Sequence, residues 1–444
     1  MKGYEIIAAT NGMVLAGDIN EEFIGITQDS RLVQPGNCYV AIAGENVDGH
    51  DFVEMAIAKG AKVVLVSNDG QYSNALVIKV DDVVKALGNM AHYLRVHNDL
   101  KVIGVTGSVG KTSTRDLIAN VVSQKFTTLA TKGNYNNELG LPLTMLNYNG
   151  EEVMVLEMGM NHENEISYLS KIAQLDVACI TNVGTAHIGN LGSRENILKA
   201  KCEIMDGNIG ALLIVNGDND LLRTVKYPNY LMVGFGPHND YRALNVQSKL
   251  ESSEFDLILG NQMHHFVIPT PGEHYVANAL IAVGVGLELG IDIELIKQGI
   301  ATFKLTKNRH DIIKLEGLTI IDGSYNSSTD SLKASLKMLA AYKNRKIAVI
   351  GDMLELGEYS RELHKDVGDY LNELNIDIVY TVGKETSVIQ DSYRGVVYHF
   401  DNNEELLGDL IDTLEYNDVV LIKGSNSMKL KNVVEGLVKK YGEN

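Results

Sequence analysis

An α/β chain of three domains is what this sequence predicts, and three observations carry the prediction. Short, near-continuous apolar runs alternate with segments whose apolar residues recur at helical spacing, the pattern of parallel strands buried on both faces and crossed by helices. The 444 residues exceed what one hydrophobic core organises, and at ordinary domain sizes they make about three domains. The alternation also restarts twice, near residues 99 and 306.

Residues 1–98 read as a small α/β unit, with strands at 38–42 and 63–66 and a helix at 52–59. Residues 99–305 carry apolar strands at 102–106, 153–158, 177–181 and 212–215. They predict a central parallel sheet. Residues 306–444 repeat the pattern with strands at 347–350, 378–382 and 419–422 and helices at 331–342 and 361–374. A third, Rossmann-like domain follows from it. Neither internal repeats nor low-complexity tracts interrupt this order.

Composition excludes several classes of function. No run approaches the roughly 20 apolar residues of a membrane span, and MKGYEIIAATNG has no basic segment leading into an apolar one, so a cytoplasmic protein is expected. Cys38, Cys179 and Cys202 lack metal-ligand spacing and are too few and too scattered for a disulfide framework. A formal net charge of -18 disfavours nucleic acid and anionic membranes as partners. An anionic substrate would need a local cluster of positive charge.

The most informative stretch is Val102-Ile-Gly-Val-Thr-Gly-Ser-Val-Gly-Lys-Thr-Ser-Thr114, an apolar strand running into a glycine-rich turn that opens a helix. Thr106, Gly107, Ser108, Val109, Gly110, Lys111, Thr112 and Ser113 form a loop whose amides can turn toward anionic oxygens. Lys111 supplies a point charge for the β- and γ-phosphates, and the Thr112 hydroxyl can hold Mg²⁺. The loop is a variant, since Val105 stands where the strict motif has its first glycine and Gly104 lies one place earlier. ATP-driven chemistry is expected.

Parallel sheets bind ligands at the carboxyl ends of their strands. Glu157 closes the run Val153-Met-Val-Leu-Glu157 and is placed to hold Mg²⁺ beside the nucleotide. Thr181-Asn-Val-Gly-Thr-Ala-His187 ends another strand in a turn that presents a histidine. A lone histidine is usually structural, but its place relative to the loop and Glu157 favours a metal ligand. Lys199 and Lys201, on a helical segment, would on composition alone be a solvated face.

The order of these motifs resembles the ATP-dependent Mur ligases of peptidoglycan synthesis, most closely the MurF type, over nearly the full chain. Thr27-Gln-Asp-Ser30-Arg31, Pro35-Gly36 and Asp48-Gly-His50-Asp-Phe52 look like that family's uridine-nucleotide domain. Gly133-Asn134-Tyr-Asn136-Asn137, Glu157-Met-Gly-Met-Asn161-His162 and Asn182-Val-Gly-Thr-Ala-His187 match in the centre, and Gly351-Asp352-Met-Leu-Glu355-Leu-Gly357 with His364 in the last domain.

The resemblance implies a three-domain architecture with a UDP-sugar domain, a central ATP domain and a C-terminal amine domain. It implies D-alanyl-D-alanine joined to UDP-MurNAc-tripeptide through an acyl phosphate, with two Mg²⁺ ions and a monomeric enzyme. By the same resemblance Lys201 is the lysine that carries a CO₂-derived carbamate. Glu157, His187 and Thr112 are metal ligands, and Lys111 and the loop amides clamp the γ-phosphate. Asn278, Arg309 and Asp322 position the nucleotide. Ser30, Arg31, Asn134, Asn136, Asn137, Tyr325 and Asn326 lie near the substrates.

Two departures fall in the last domain. Asp322-Gly323-Ser-Tyr325-Asn326-Ser327-Ser328 lacks one acid and an Asn-Pro pair of the family pattern, and Gly424-Ser-Asn426-Ser427-Met428 has Asn426 in place of an arginine. A ligase with a different amine acceptor, another Mur ligase, and a non-catalytic nucleotide-binding scaffold are the alternatives.

Overall fold

The computed structural model describes residues 1–305 and 311–442. Three sheets organise them. The first has five strands in the order Met13–Ala16, Leu76–Lys79, Val63–Val66, Cys38–Val40 and Ile26–Thr27, parallel except at the Met13–Ala16 edge. Its helix Val83–His97 is capped by Asp82, whose carboxylate accepts from the amides of Val84 and Lys85.

The second sheet has nine strands. Thr128–Ala130, Val153–Glu157, Lys101–Thr106, Val177–Ile180, Leu212–Asn216 and Tyr230–Gly234 run parallel, with Tyr241–Ser248 parallel to the last of these. Val177–Ile180 is buried at every position, as a strand covered on both faces must be. The sheet then continues antiparallel through Ser253–Leu259 and Gln262–Ile268. The sequence reading found no strand here, because Ser253–Leu259 alternates buried and solvated residues instead of forming an apolar run.

The third sheet has six strands in the order Asp311–Leu315, Leu318–Gly323, Asp418–Lys423, Lys346–Gly351, Ile378–Val382 and Val396–Phe400, antiparallel only at its first pair. The helix expected at 331–342 begins earlier, at Thr329, because the Ser328 hydroxyl caps it by accepting from the Ser331 amide. The segment expected as a helix at 52–59 divides into a 3₁₀ turn, Gly49–Phe52, and the helix Val53–Ala58.

The three units are joined by packing and by hydrogen bonds. Arg95 of the first unit donates to the Ala173 and Gln174 carbonyls and to Asp176 at 3.0–3.1 Å. Buried apolar side chains from Ile6, Leu156 and Leu421 belong to one connected cluster, so the core passes through all three sheets.

Candidate active site

The glycine-rich turn follows Lys101–Thr106 and opens the helix Lys111–Val122, whose Leu117, Ile118, Val121 and Val122 are buried. Two glycines are required by shape. Gly107 sits at φ +154°, where a Cβ would meet the Thr181 hydroxyl at 1.8 Å, and Gly110 sits at φ +81° as the residue preceding the helix. The next strand end holds the turn from the side. The Ser108 amide donates to the Asn182 carbonyl at 3.0 Å, the Val109 amide to Asn182 Oδ1 at 2.9 Å, and the Thr181 hydroxyl to the Val109 carbonyl at 2.5 Å. Lys111 Nζ folds back to donate to the Gly107 carbonyl at 2.8 Å.

Behind the loop lies a buried polar knot. Glu157, only 2% exposed at its strand end, accepts from the Thr112 hydroxyl and from Asn136 Nδ2, both at 2.8 Å, and its own amide donates to the Thr131 hydroxyl at 3.0 Å. Arg115, 3% exposed, places Nη1 3.3 Å from Glu157 Oε2 and donates to the Gly133 carbonyl at 3.1 Å. Sequence reasoning missed Arg115. Its spacing of three from Thr112 on the loop helix, which sets both side chains on one face, was the available signal. Among the described residues no group of three or more His, Cys, Asp or Glu side chains forms a metal site. The adjacent hydroxyl and carboxylate of Thr112 and Glu157 nevertheless suit a small hard cation that keeps most of its water.

The helix Arg194–Cys202 divides its lysines. Lys199 is exposed and pairs with Glu163 at 3.5 Å, whereas Lys201 is 1% exposed. Burial and the nearby positive charge of Lys111 push the Lys201 amine well below the ordinary lysine range, against the opposing pull of Glu203. His187 follows the strand Val177–Ile180 at φ +64°, with Nδ1 2.6 Å from Glu355 Oε2 of the third unit.

One cavity of about 1470 Å³ gathers the loop, Glu157 and His187, whereas the buried Lys201 and Arg115 do not line it. Ser108 to Ser113, Asn134, Asn136, Asn137, Glu157, His187 and Asn278 line it from the central unit, and Asp82 and Lys85 from the first. Gly323, Tyr325 to Ser328, Glu355, Lys423 and Ser425 to Ser427 line it from the third.

Comparison with known proteins fits this geometry. Residues 22–97 match the catalytic domain of the Mur ligase family, 105–286 the Mur ligase middle domain, and 308–426 the Mur ligase glutamate ligase domain. The UDP-N-acetylmuramoyl-tripeptide–D-alanyl-D-alanine ligase of Bacillus subtilis is 37% identical over 428 residues, covering 93% of each chain. The chain belongs to the Mur ligase family. The enzyme of the same name from Escherichia coli is 34% identical to this Mur ligase, with 96% of each chain covered. MurF of Acinetobacter baumannii superposes with a TM-score of 0.90 at 31% identity, covering 99% of this chain and 98% of that one. MurF of Thermotoga maritima, solved with ADP, superposes with a TM-score of 0.83 at 30% identity, covering 94% and 97%.

Not every expected residue of this Mur ligase reaches the cleft. Asp322 is buried, accepts from the Ser324 amide at 2.9 Å, and lines a separate cavity with Ile313 and Lys431. Successive strand residues face opposite sides, so Gly323 lines the cleft at this strand end while Asp322 lines the other cavity. Arg309 lies outside the described residues. Ser30 is buried, and Arg31 is exposed and ion-paired with Asp29 at 2.7 Å; neither lines the cleft. Thr106 and Gly107 shape the loop from below. Asn426 Nδ2 donates to the Tyr325 carbonyl at 2.9 Å, and Lys423 Nζ donates to the Asn326 carbonyl at 3.0 Å. Thus the Lys423 side chain lines the third unit's side of the cleft, close to Asn426. Sequence reasoning passed over Lys423, which ends its strand immediately before Gly424.

Proposed function

We propose that this Mur ligase joins D-alanyl-D-alanine to UDP-MurNAc-tripeptide at the expense of ATP, giving UDP-MurNAc-pentapeptide, ADP and phosphate. Residues 1–98 bind the UDP-sugar, 99–305 the ATP, and 306–444 the incoming amine. The observation that carries this reading is the single cavity bordered by the phosphate loop, Glu157 and the polar loops of the third sheet.

The amides at the start of the helix Lys111–Val122 and the Lys111 side chain bind the triphosphate, whose γ-phosphate takes the place of the carbonyls that Lys111 now contacts. The peptide carboxylate oxygen attacks the γ-phosphorus and ADP leaves, so a poor acyl donor gains a phosphate leaving group. The neutral amine of the dipeptide then attacks the acyl carbon, the carbon–oxygen bond to phosphate breaks, and the nitrogen loses its proton. Lys111 offsets negative charge as the two anions meet. Asn278 borders the nucleotide side, Asn134, Asn136 and Asn137 the sugar-peptide side, and Tyr325 and Asn326 lie near the substrates. Ser327, whose buried hydroxyl has no partner among the described residues, faces the acceptor with Lys423 and Asn326.

Thr112 and Glu157 would hold one Mg²⁺, and His187 with a carbamate on Lys201 a second; the metals would supply positive charge to the phosphoryl oxygens. Burial, which lowers the Lys201 pKa, favours the neutral amine, the form that combines with CO₂. The proposal includes a monomeric enzyme, and ATP and a UDP-linked substrate suit the cytoplasm.

The test is phosphate release from ATP with UDP-MurNAc-tripeptide, comparing D-alanyl-D-alanine with other dipeptides and single amino acids, with mass spectrometry of the product. Turnover with D-alanyl-D-alanine and a pentapeptide product is expected. Turnover with another amine alone would move the function to a different acceptor, and silence with all would favour a scaffold.

A further inference from the structure

Among the described residues, Glu355 is the carboxylate that the third unit extends to His187, and the backbone around the contact is built for it. Both residues occupy the left-handed region, at φ +64°, a conformation that costs a non-glycine residue of order 1 kcal/mol or more and persists only where surroundings enforce it. Besides this 2.6 Å ion contact, two hydrogen bonds dock the same segments, from the Gly189 amide to the Glu355 carbonyl at 3.1 Å and from the Tyr359 hydroxyl to the Gly192 carbonyl at 2.6 Å. Gly189 and Gly357 touch so closely that a Cβ on Gly189 would lie 2.6 Å from the Gly357 amide nitrogen. The main chains of two domains therefore meet at the point where Glu355 reaches the imidazole.

We propose that Glu355 is a positioning residue that orients His187 for metal binding, and that it does so only when the C-terminal domain is docked. The inference rests on the reading of His187 as a metal ligand. A carboxylate at one ring nitrogen fixes the ring and leaves the other nitrogen for a cation, and such partners are commonly worth 10–100-fold in metal affinity. Because the partner comes from another domain, docking and metal binding must strengthen each other by the same factor. Order in the C-terminal domain thus becomes a condition for completing the metal site in the central one.

The experiment is titration of Mn²⁺ into the full-length protein with saturating non-hydrolysable ATP analogue, followed by electron paramagnetic resonance, with small-angle scattering on the same samples. Wild type should bind two Mn²⁺ and contract, and His187→Ala should bind one. Glu355→Gln should keep both sites but weaken one on the order of 10-fold and contract less. Glu355→Asp, which keeps the charge, should recover part of the affinity and guards against a folding defect in the first variant. Wild-type Mn²⁺ affinities in folded Glu355→Gln would overturn this inference and leave the metal reading of His187 intact. Unchanged stoichiometry in His187→Ala would overturn both.

Discussion

Replacing Arg115 by methionine should destabilise the protein most when no cation is bound, and the size follows from the buried knot at Glu157. The guanidinium Nη1 and Glu157 Oε2 are 3.3 Å apart, and the two side chains are 3% and 2% exposed. At an effective dielectric of about 20, two charges at that distance attract by about 5 kcal/mol before desolvation is counted. Truncating one partner of a buried pair costs about 3–5 kcal/mol, because the other charge is left without compensation. Thr112 and Asn136 still donate to Glu157, so the lower end applies. At roughly 2–4 °C per kcal/mol for a domain of this size, the central unit should melt about 10 °C lower. Differential scanning calorimetry gives the melting point, and Mg²⁺ with a non-hydrolysable ATP analogue should narrow the gap by supplying positive charge at the same carboxylate. Arg115→Met with Glu157→Gln completes a double-mutant cycle. A coupling within about 0.5 kcal/mol of zero would refute the reasoning, since it would mean that the pair contributes no more than two unrelated sites.

Three other outcomes are expected. Lys201→Arg keeps a cation but cannot be carbamylated, so turnover should fall on the order of 100-fold, and ¹³C-bicarbonate should give a carbamate resonance in wild type but not in the variant; a variant with normal turnover would sink the carbamate role. Gly189→Ala places a methyl against backbone atoms of the docked domain, 2.6 Å from the Gly357 nitrogen and 2.8 Å from the Glu355 oxygen, where no side chain can yield. With overpacking at about 1–3 kcal/mol charged to the docked state, kcat should drop roughly 10–100-fold while the melting point of each unit holds; full activity would show that docking is not needed. His364 is fully buried, its Nε2 accepting from the Met353 amide at 3.1 Å, and burial holds its pKa below the ordinary 6.5. The unfolded imidazole takes up a proton as pH falls through about 6.5 while the folded one resists, so stability should decline below that pH. Guanidinium denaturation at pH 7.5 and 5.5 should show the decline in wild type and a shallower one in His364→Gln; equal slopes would exclude this histidine as the source.

The sequence by itself determined the phosphate loop, the strand ends that carry Glu157 and His187, and the parallel character of the sheets. Each is a local property: a buried parallel strand must be apolar throughout, and a turn at φ +81° followed by an anion-binding helix favours glycine at position 110. Amphipathic strands such as Ser253–Leu259 were illegible because half their residues face water and break the apolar run. The tertiary structure decided what depends on distant neighbours. It placed Lys201 in a dry site beside Lys111 while leaving Lys199 in solvent, although both sit on one short helix. It turned Asp322 away from the cleft by the alternation of a strand, and it set Arg115 against Glu157 across 42 residues of chain. It also brought Glu355 to His187 from another domain. Burial and charge pairing are sums over atoms that the chain assembles only on folding, so a residue's type and spacing fix its chemistry while its surroundings decide whether that chemistry is used.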